Sequence, residues 1–334
     1  MKPVKILVIG ACGQIGTELT AALRIRYGAA SVIAADRFPA LRDDASYYQL
    51  NVLDRDMLNH LICAEKVTQI YLLAAILSAV GEQDMKAAWE LNMGGLLNVL
   101  RVAVLQGVEK VFWPSSIAVF GPGAPKHRCA QHDLTEPQTV YGISKRAGEH
   151  FCNYYFEQYG LDVRSIRYPG LISHSSKPGG GTTDYAVEIF HQAMTGNSYT
   201  CYLTEDTCLP MMYMPDAVRA AITLMEAPAN RLRVRTAYNI SAMSFAPCDL
   251  AEAIRRRVPG FGISYVPDRR QAIADTWPAS TCDDLARSDW DWQPEFGLET
   301  MVEDMLDKLF PQVAEPAKSY VLDDNYFFTR VDEA

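Results

Sequence analysis

"VKILVIGACGQIG", residues Val4–Gly16, sets a short apolar strand directly before three glycines, and the helical period of "IGTELTAALRIRYG" begins at their end. Each glycine answers a separate physical need. Gly10 permits the tight turn, Gly13 lets a pyrophosphate approach the backbone, and Gly16 lets helix and strand pack closely. The helix N-terminus presents N–H groups to the anion, so Gln14 and Ile15 join the expected cofactor contacts. Strand, glycine loop and helix in this order predict a dinucleotide site at the start of a βαβ pattern.

Outward from that stretch, the strands "SVIAADR", "ASYYQLNV", "QIYLLAA", "KVFWPSS" and "LDVRSIRYP" are mostly separated by segments of helical period such as "WELNMGGLLNVLRVAVLQG". Short apolar strands between helices imply a parallel sheet covered on both faces. The expected fold is α/β: a Rossmann-type doubly wound parallel sheet over residues 1–170, with a smaller C-terminal α/β substrate lobe over 171–310. Some segments of that lobe are expected to return to the sheet. The polar stretch "SHSSKPGGGTTD" reads as a loop. Beyond it, short strands ("TCYL", "TAYNIS", "GISYV") mix with helices ("YAVEIFHQAMTG", "DAVRAAITLMEA", "DLAEAIRRR", "LETMVEDMLDKLF"). Residues 311–334 form a polar, acidic tail whose Tyr320, Tyr326, Phe327 and Phe328 are candidates to dock on the body or on a partner subunit.

A formal net charge of -9 argues against a nucleic-acid binder, and no apolar run is long enough to predict a membrane span. "MKPVKILVIG" enters its strand without the residue order of a secretory or transit signal, which predicts a cytoplasmic protein. The 8 cysteines contain no C-x-x-C pair, and neither they nor the 6 histidines fall at metal-ligand spacing; reduced thiols and no metal site are expected.

The chemistry gathers at strand ends. Asp36 closes the second strand about 20 residues past Gly16, where a carboxylate bonds the ribose hydroxyls of NAD and repels a further phosphate. Arg37 beside it is the kind of residue that accommodates that phosphate, but NAD remains the expected cofactor. Asn51 and Val52 close the third strand and Leu73, Ala74 and Ala75 the fourth, bringing backbone near the adenine and ribose. Asn92, on a helix near the sheet, is assigned to the cofactor site in a supporting role. Ser115 and Ser116 end the fifth strand, and "YGISK" puts Tyr141 and Lys145 four apart on one face of the next helix. Together they offer a hydroxyl to hold a substrate oxygen, a phenol to move its proton and an ammonium to tune the phenol. A free tyrosine titrates near pH 10; the Lys145 charge and a positive nicotinamide are both expected to favour phenolate.

The glycine string, the terminal aspartate, "SS", "YGISK", "RYPG" and "MPDAV" together resemble the extended short-chain dehydrogenase/reductase family over nearly the whole chain. Within it, "RYPGLIS", "GGGTTDYAVEIF", "LPMMYMPDA" and "TWP" are similar to the L-threonine 3-dehydrogenases. The resemblance implies that Tyr141 is the general acid/base, that Lys145 binds the nicotinamide ribose and lowers the tyrosine pKa, and that Ser116, with or without Ser115, orients the substrate hydroxyl. Tyr168, within "RYPG", and Leu171, just after it, would meet the cofactor. Asn51 stands where many relatives carry aspartate.

The implied reaction is metal-independent oxidation of L-threonine at C3 by NAD, giving 2-amino-3-oxobutanoate. Thr182, Thr183 and Asp184 are candidates for the substrate's carboxylate and ammonium, "TTD" being equally suited to cap the following helix. Ser78 and Trp277 are further substrate candidates. Two other readings stay open: a nucleotide-sugar epimerase or dehydratase of the same superfamily, and a regulator that senses NAD without catalysis. A homodimer is implied, built on the Tyr141 helix and the long helix before it.

Overall fold

The computed structural model describes residues 3–39, 44–176 and 179–314, with the side chains of 311–314 excepted. The tail aromatics therefore lie outside the described residues.

Six strands carry the first half: β1 (Ile6–Ile9), β2 (Val32–Asp36), β3 (Tyr47–Gln49), β4 (Gln69–Leu72), β5 (Lys110–Ser116) and β6 (Asp162–Tyr168). Six more follow: β7 (Gly170–Ile172), β8 (Tyr199–Cys201), β9 (Leu209–Tyr213), β10 (Tyr238–Asn239), β11 (Met243–Phe245) and β12 (Ile263–Tyr265). The main sheet is parallel, in the order β10-β6-β5-β4-β1-β2-β3. Central β1 is "ILVI", buried throughout, and its register sets Leu7 between Ile33 and Ile70. Because side chains alternate along a strand, Ile6 and Val8 enter one core layer while Leu7 and Ile9 enter the other. Helices Arg55–Ala64 and Gly95–Gln106 cover the Leu7 face; Gln14–Tyr27 and Met214–Glu226 cover the Ile6 face. The order reverses between β1 and β4, so the chain leaves their carboxyl ends in opposite directions and opens a crevice.

The second half is divided between the main sheet and two smaller ones. "TAYNIS" does form a strand, but β10 joins the main sheet beside β6. β9, not anticipated as a strand, lies between β7 and β11 in a separate three-stranded sheet, while β8 pairs with β12. Traffic also runs the other way: Ile117, Val119 and Phe120, from the first half, belong to the lobe core with Phe190, Ile254 and Met305.

The expected long helix is present with one irregularity. It widens into a π-turn over Glu90–Gly94 between the α-helical segments Met85–Trp89 and Gly95–Gln106. Most of its apolar run is core (Leu96, Val99, Leu100, Val102 and Ala103), whereas Val104 and Leu105 face outward. No helix among the described residues is long and apolar enough to cross a membrane.

Candidate active site

The glycine loop crosses the crevice at the end of β1. Gly10 has a φ of +88°, and a Cβ there would sit 2.6 Å from the Ala74 nitrogen, so the protein itself requires glycine. Gly16 is equally constrained, since its Cβ would overlap the Gly10 carbonyl oxygen. Gly13 is different. A Cβ there would meet only the Gly10 oxygen, at an ordinary 3.4 Å, yet Gly13 lines the cleft and caps helix Gln14–Tyr27 without a side-chain bond. The space before it is what a diphosphate on a helix N-terminus needs, and a side chain would fill it. The residues present thus fit a dinucleotide.

Two chambers of about 340 and 420 Å³ meet along Gly10, Gly13, Leu73 and Ala75. The second is lined by Asp36, Arg37, Asn51, Val52 and Ala74. One Asp36 oxygen accepts the Cys12 N–H at 3.0 Å, fastening the glycine loop to the end of β2. Arg37 is exposed, its guanidinium 4.7 Å from the Phe38 ring centre. The Asn51 side chain accepts the Leu53 N–H, a turn contact.

Asn92 does not line either chamber. From the π-turn its amide takes the Ile76 N–H at 2.9 Å and donates to the Ile76 carbonyl and to the Ser144 hydroxyl, which in turn donates to the Tyr141 carbonyl. Its direct contacts therefore tie the β4 exit to the Tyr141 helix, and a direct cofactor contact is not what this geometry offers.

In the first chamber, Tyr141, Lys145, Ser115 and Ser116 converge with Gly13, Gln14, Ile15, Tyr168 and Leu171. Helix Val140–Tyr159 starts at Thr139, whose hydroxyl accepts the Gly142 N–H at 3.0 Å. Lys145 is buried; its Nζ donates to the Pro114 carbonyl at 2.6 Å and lies 4.4 Å from the Trp113 ring centre and 5.5 Å from that of Tyr141. Burial brings its pKa down to about 7, against Cys152 and Glu149, which raise it. The Tyr141 phenol is pushed up to about 12 by burial, against a hydrogen bond with Ser116 that lowers it. In the free protein burial outweighs the Ser116 bond and the Lys145 ammonium is turned to a carbonyl, so the expected move of the phenol toward neutrality belongs to the NAD-loaded site.

The two serines separate cleanly. The Ser115 hydroxyl donates to buried Glu149 at 2.6 Å, whereas Ser116 faces the Tyr141 phenol and accepts the Ala118 N–H. Tyr168 lines the chamber, but its hydroxyl donates to Ala217.

Ser78, Thr182, Thr183, Asp184 and Trp277 complete the wall. Asp184 stands at the N-cap of helix Tyr185–Met194 but makes no side-chain capping bond. Its carboxylate instead accepts the N–H groups of Gly180 and Gly181, both at 2.7 Å, and burial lifts its pKa to about 6 against those bonds. With one oxygen so committed, it is first a staple of the glycine-rich loop.

The sequence reading missed Leu77, Pro114, Ile117, Pro169, Gly170, Gly179 and Gly181 in the first chamber, and, among others, Cys12, Phe38, Ile76 and Val80 in the second. Cys12, Phe38, Ile117 and Pro169 fall within three residues of a strand's carboxyl end, a position that would have flagged them. No group of three or more His, Cys, Asp and Glu side chains able to hold a metal ion occurs among the described residues.

Residues 6–241 match the model of the NAD dependent epimerase/dehydratase family. An uncharacterized epimerase/dehydratase of Staphylococcus haemolyticus is 43% identical over 307 residues, covering 90% of this chain and 96% of that protein. The holo form of a GalE-like L-threonine dehydrogenase from Cupriavidus necator superposes with a TM-score of 0.90 at 57% identity, covering 91% of this chain and 99% of the other. An L-threonine dehydrogenase from Clostridium difficile gives 0.90 at 43% identity, covering 94% and 99%. The glycine cradle, the Ser/Tyr/Lys meeting point and these likenesses agree: the chain belongs to the NAD dependent epimerase/dehydratase family, with NAD as its cofactor.

Proposed function

We propose that the protein oxidises L-threonine at C3 to 2-amino-3-oxobutanoate. The observation that carries this is the meeting of Ser116, Tyr141 and Lys145 in a chamber continuous with the dinucleotide cradle. Similarity to L-threonine dehydrogenases over most of the chain supports the choice of substrate.

Bound NAD supplies the acceptor for the C3 hydride. Ser116 holds the substrate hydroxyl against Tyr141, which takes its proton and passes it on to solvent. The carbon and oxygen left behind form the carbonyl. In the free protein Tyr141 keeps its proton at neutral pH. A cation entering the chamber favours phenolate, so the base is armed only in the loaded complex. Lys145, charged, adds to that field and donates to whatever acceptor displaces the Pro114 carbonyl. The hydroxyls of Ser78, Thr182 and Thr183 are the polar groups suited to the amino-acid end. No metal takes part in this scheme.

We also infer a cytoplasmic homodimer. Outward-facing Val104, Leu105, Ile143, Phe151 and Tyr154 on helices Gly95–Gln106 and Val140–Tyr159 support a self-association face.

The test is NADH formation by the purified protein with L-threonine, in EDTA, beside NADP, L-serine, D-threonine, L-allo-threonine and UDP-glucose, with Tyr141→Phe as control. Turnover of L-threonine that survives EDTA and is lost in the variant is expected. NAD binding without threonine oxidation would sink the substrate assignment.

A further inference from the structure

Tyr141 and Lys145 are two steps of a ladder whose third is Glu149. At positions i, i+4 and i+8 of helix Val140–Tyr159, the three share one face. Glu149 is completely buried, and its oxygens are fully engaged. Oε1 accepts the Ser115 hydroxyl at 2.6 Å and Arg167 Nε at 2.8 Å; Oε2 accepts Arg167 Nη2 at 2.8 Å. Arg167 is buried too, donating its remaining Nη1 to the Gln131 carbonyl at 2.9 Å and to the Asn239 side chain at 3.1 Å. Helix, β5 and β6 are thus joined at one carboxylate, and β10 through the arginine it holds.

We propose that Glu149 is a positioning residue of the reaction: by holding Ser115 it fixes the strand end from which Ser116 meets Tyr141, and its charge, one helical turn below, holds the Lys145 ammonium. The proposal rests on the Ser116–Tyr141–Lys145 reading above. It explains why adjacent serines differ, since one hydroxyl is spent on the carboxylate and the other is left to the chamber. It also explains how a cation survives in a buried place. The groups facing Lys145 are Tyr141, Glu149 and Cys152 from its own helix, and the uncharged Pro114 carbonyl and Trp113 ring from β5. Arg167, from β6, faces Glu149, and His150 is exposed. Among these, Glu149 is the anion that opposes desolvation of the ammonium at neutral pH, and burial pushes the Cys152 thiol up, leaving it uncharged there.

Trp113 beneath Lys145 provides a readout that needs no turnover. Its emission, taken as the difference between a protein and its Trp113→Phe counterpart, is followed against pH without substrate. Removing Glu149 alone would strand the Arg167 charge, so the test variant is the neutral pair Glu149→Gln/Arg167→Gln. The midpoint is expected to fall by about one pH unit, and kcat at neutral pH to fall about tenfold with it. An unmoved midpoint with kcat within about twofold of wild type overturns the proposal. Should that pair fail to fold, Ser115→Ala tests the other arm. A severalfold loss of kcat with the midpoint in place supports it, and wild-type kcat overturns it. A wild type that ignores L-threonine would sink the substrate assignment and leave the fluorescence test standing.

Discussion

Ser78 and Thr182, far apart in the chain, meet hydroxyl to hydroxyl at 3.1 Å in the buried wall of the chamber. One follows β4 and the other sits in the glycine-rich loop, so the bond closes the chamber from two sides. Ser78→Ala leaves Thr182 without this partner. Loss of one hydrogen bond of ~1 kcal/mol predicts a KM for L-threonine about fivefold higher. NAD affinity, measured by fluorescence titration, should be unchanged.

Gly13 and Gly16 should part company under the same substitution. Gly13→Ala finds open space, so the protein is expected to fold with a wild-type melting temperature and to lose NAD affinity about tenfold or more, because the new methyl occupies the phosphate approach. Gly16→Ala collides with the Gly10 carbonyl and should lower the melting temperature or abolish folding. Calorimetry and NAD titration together decide it.

Tyr141→Phe removes the proton acceptor and little else. The expected loss in kcat is about 10²–10⁴-fold, with NAD binding preserved. Ser116→Ala should cost kcat more than Ser115→Ala, since the Ser116 hydroxyl is the one facing the phenol. Steady-state kinetics of the three variants ranks them.

Asp36→Ala deprives the Cys12 N–H of its acceptor as well as removing the ribose partner. NAD should bind about tenfold or more weakly, and the preference for NAD over NADP should shrink. Parallel titrations with both cofactors measure the change.

Asp184 predicts a stability that falls as pH rises. Its folded-state pKa of about 6 lies above its ordinary 3.8, so between these values the folded protein binds more protons than the unfolded chain. The penalty is complete above about pH 6 and relieved toward pH 4, amounting to about 3 kcal/mol at most. Asp184→Asn should abolish this share of the slope. Thermal melts of both proteins across that window would show parallel curves if the assignment were wrong.

The central sheet was legible because each early strand is a short apolar run punctuated by glycine or a polar strand end, and because the glycine loop announces its own neighbours. Tyr141 and Lys145 were legible for a similar reason, helical spacing being a local property. What escaped depends on distant partners. Nothing in "SS" says that Ser115 will find Glu149, and nothing in "TTD" says that its carboxylate turns back to Gly180 and Gly181 instead of capping its helix. Desolvation of Tyr141 is likewise invisible in the sequence, because burial depends on the whole fold. Which segments of the second half return to the sheet is not legible either, since a two-residue strand such as β10 carries no signal of which edge it will join.

The placement of β10 reaches into protein engineering. A single crossover at Gly170, the natural place to exchange one relative's substrate half for another's, would also import a foreign edge strand and the foreign helix Met214–Glu226 onto the native sheet. It would leave Ile117–Phe120 buried against a lobe with which they had never been selected. Functional chimeras should therefore need several junctions, keeping 214–240 with the cofactor half and 117–129 with the substrate half. Recombination libraries would recover parents and multiple-crossover hybrids while losing the simplest hybrid of all.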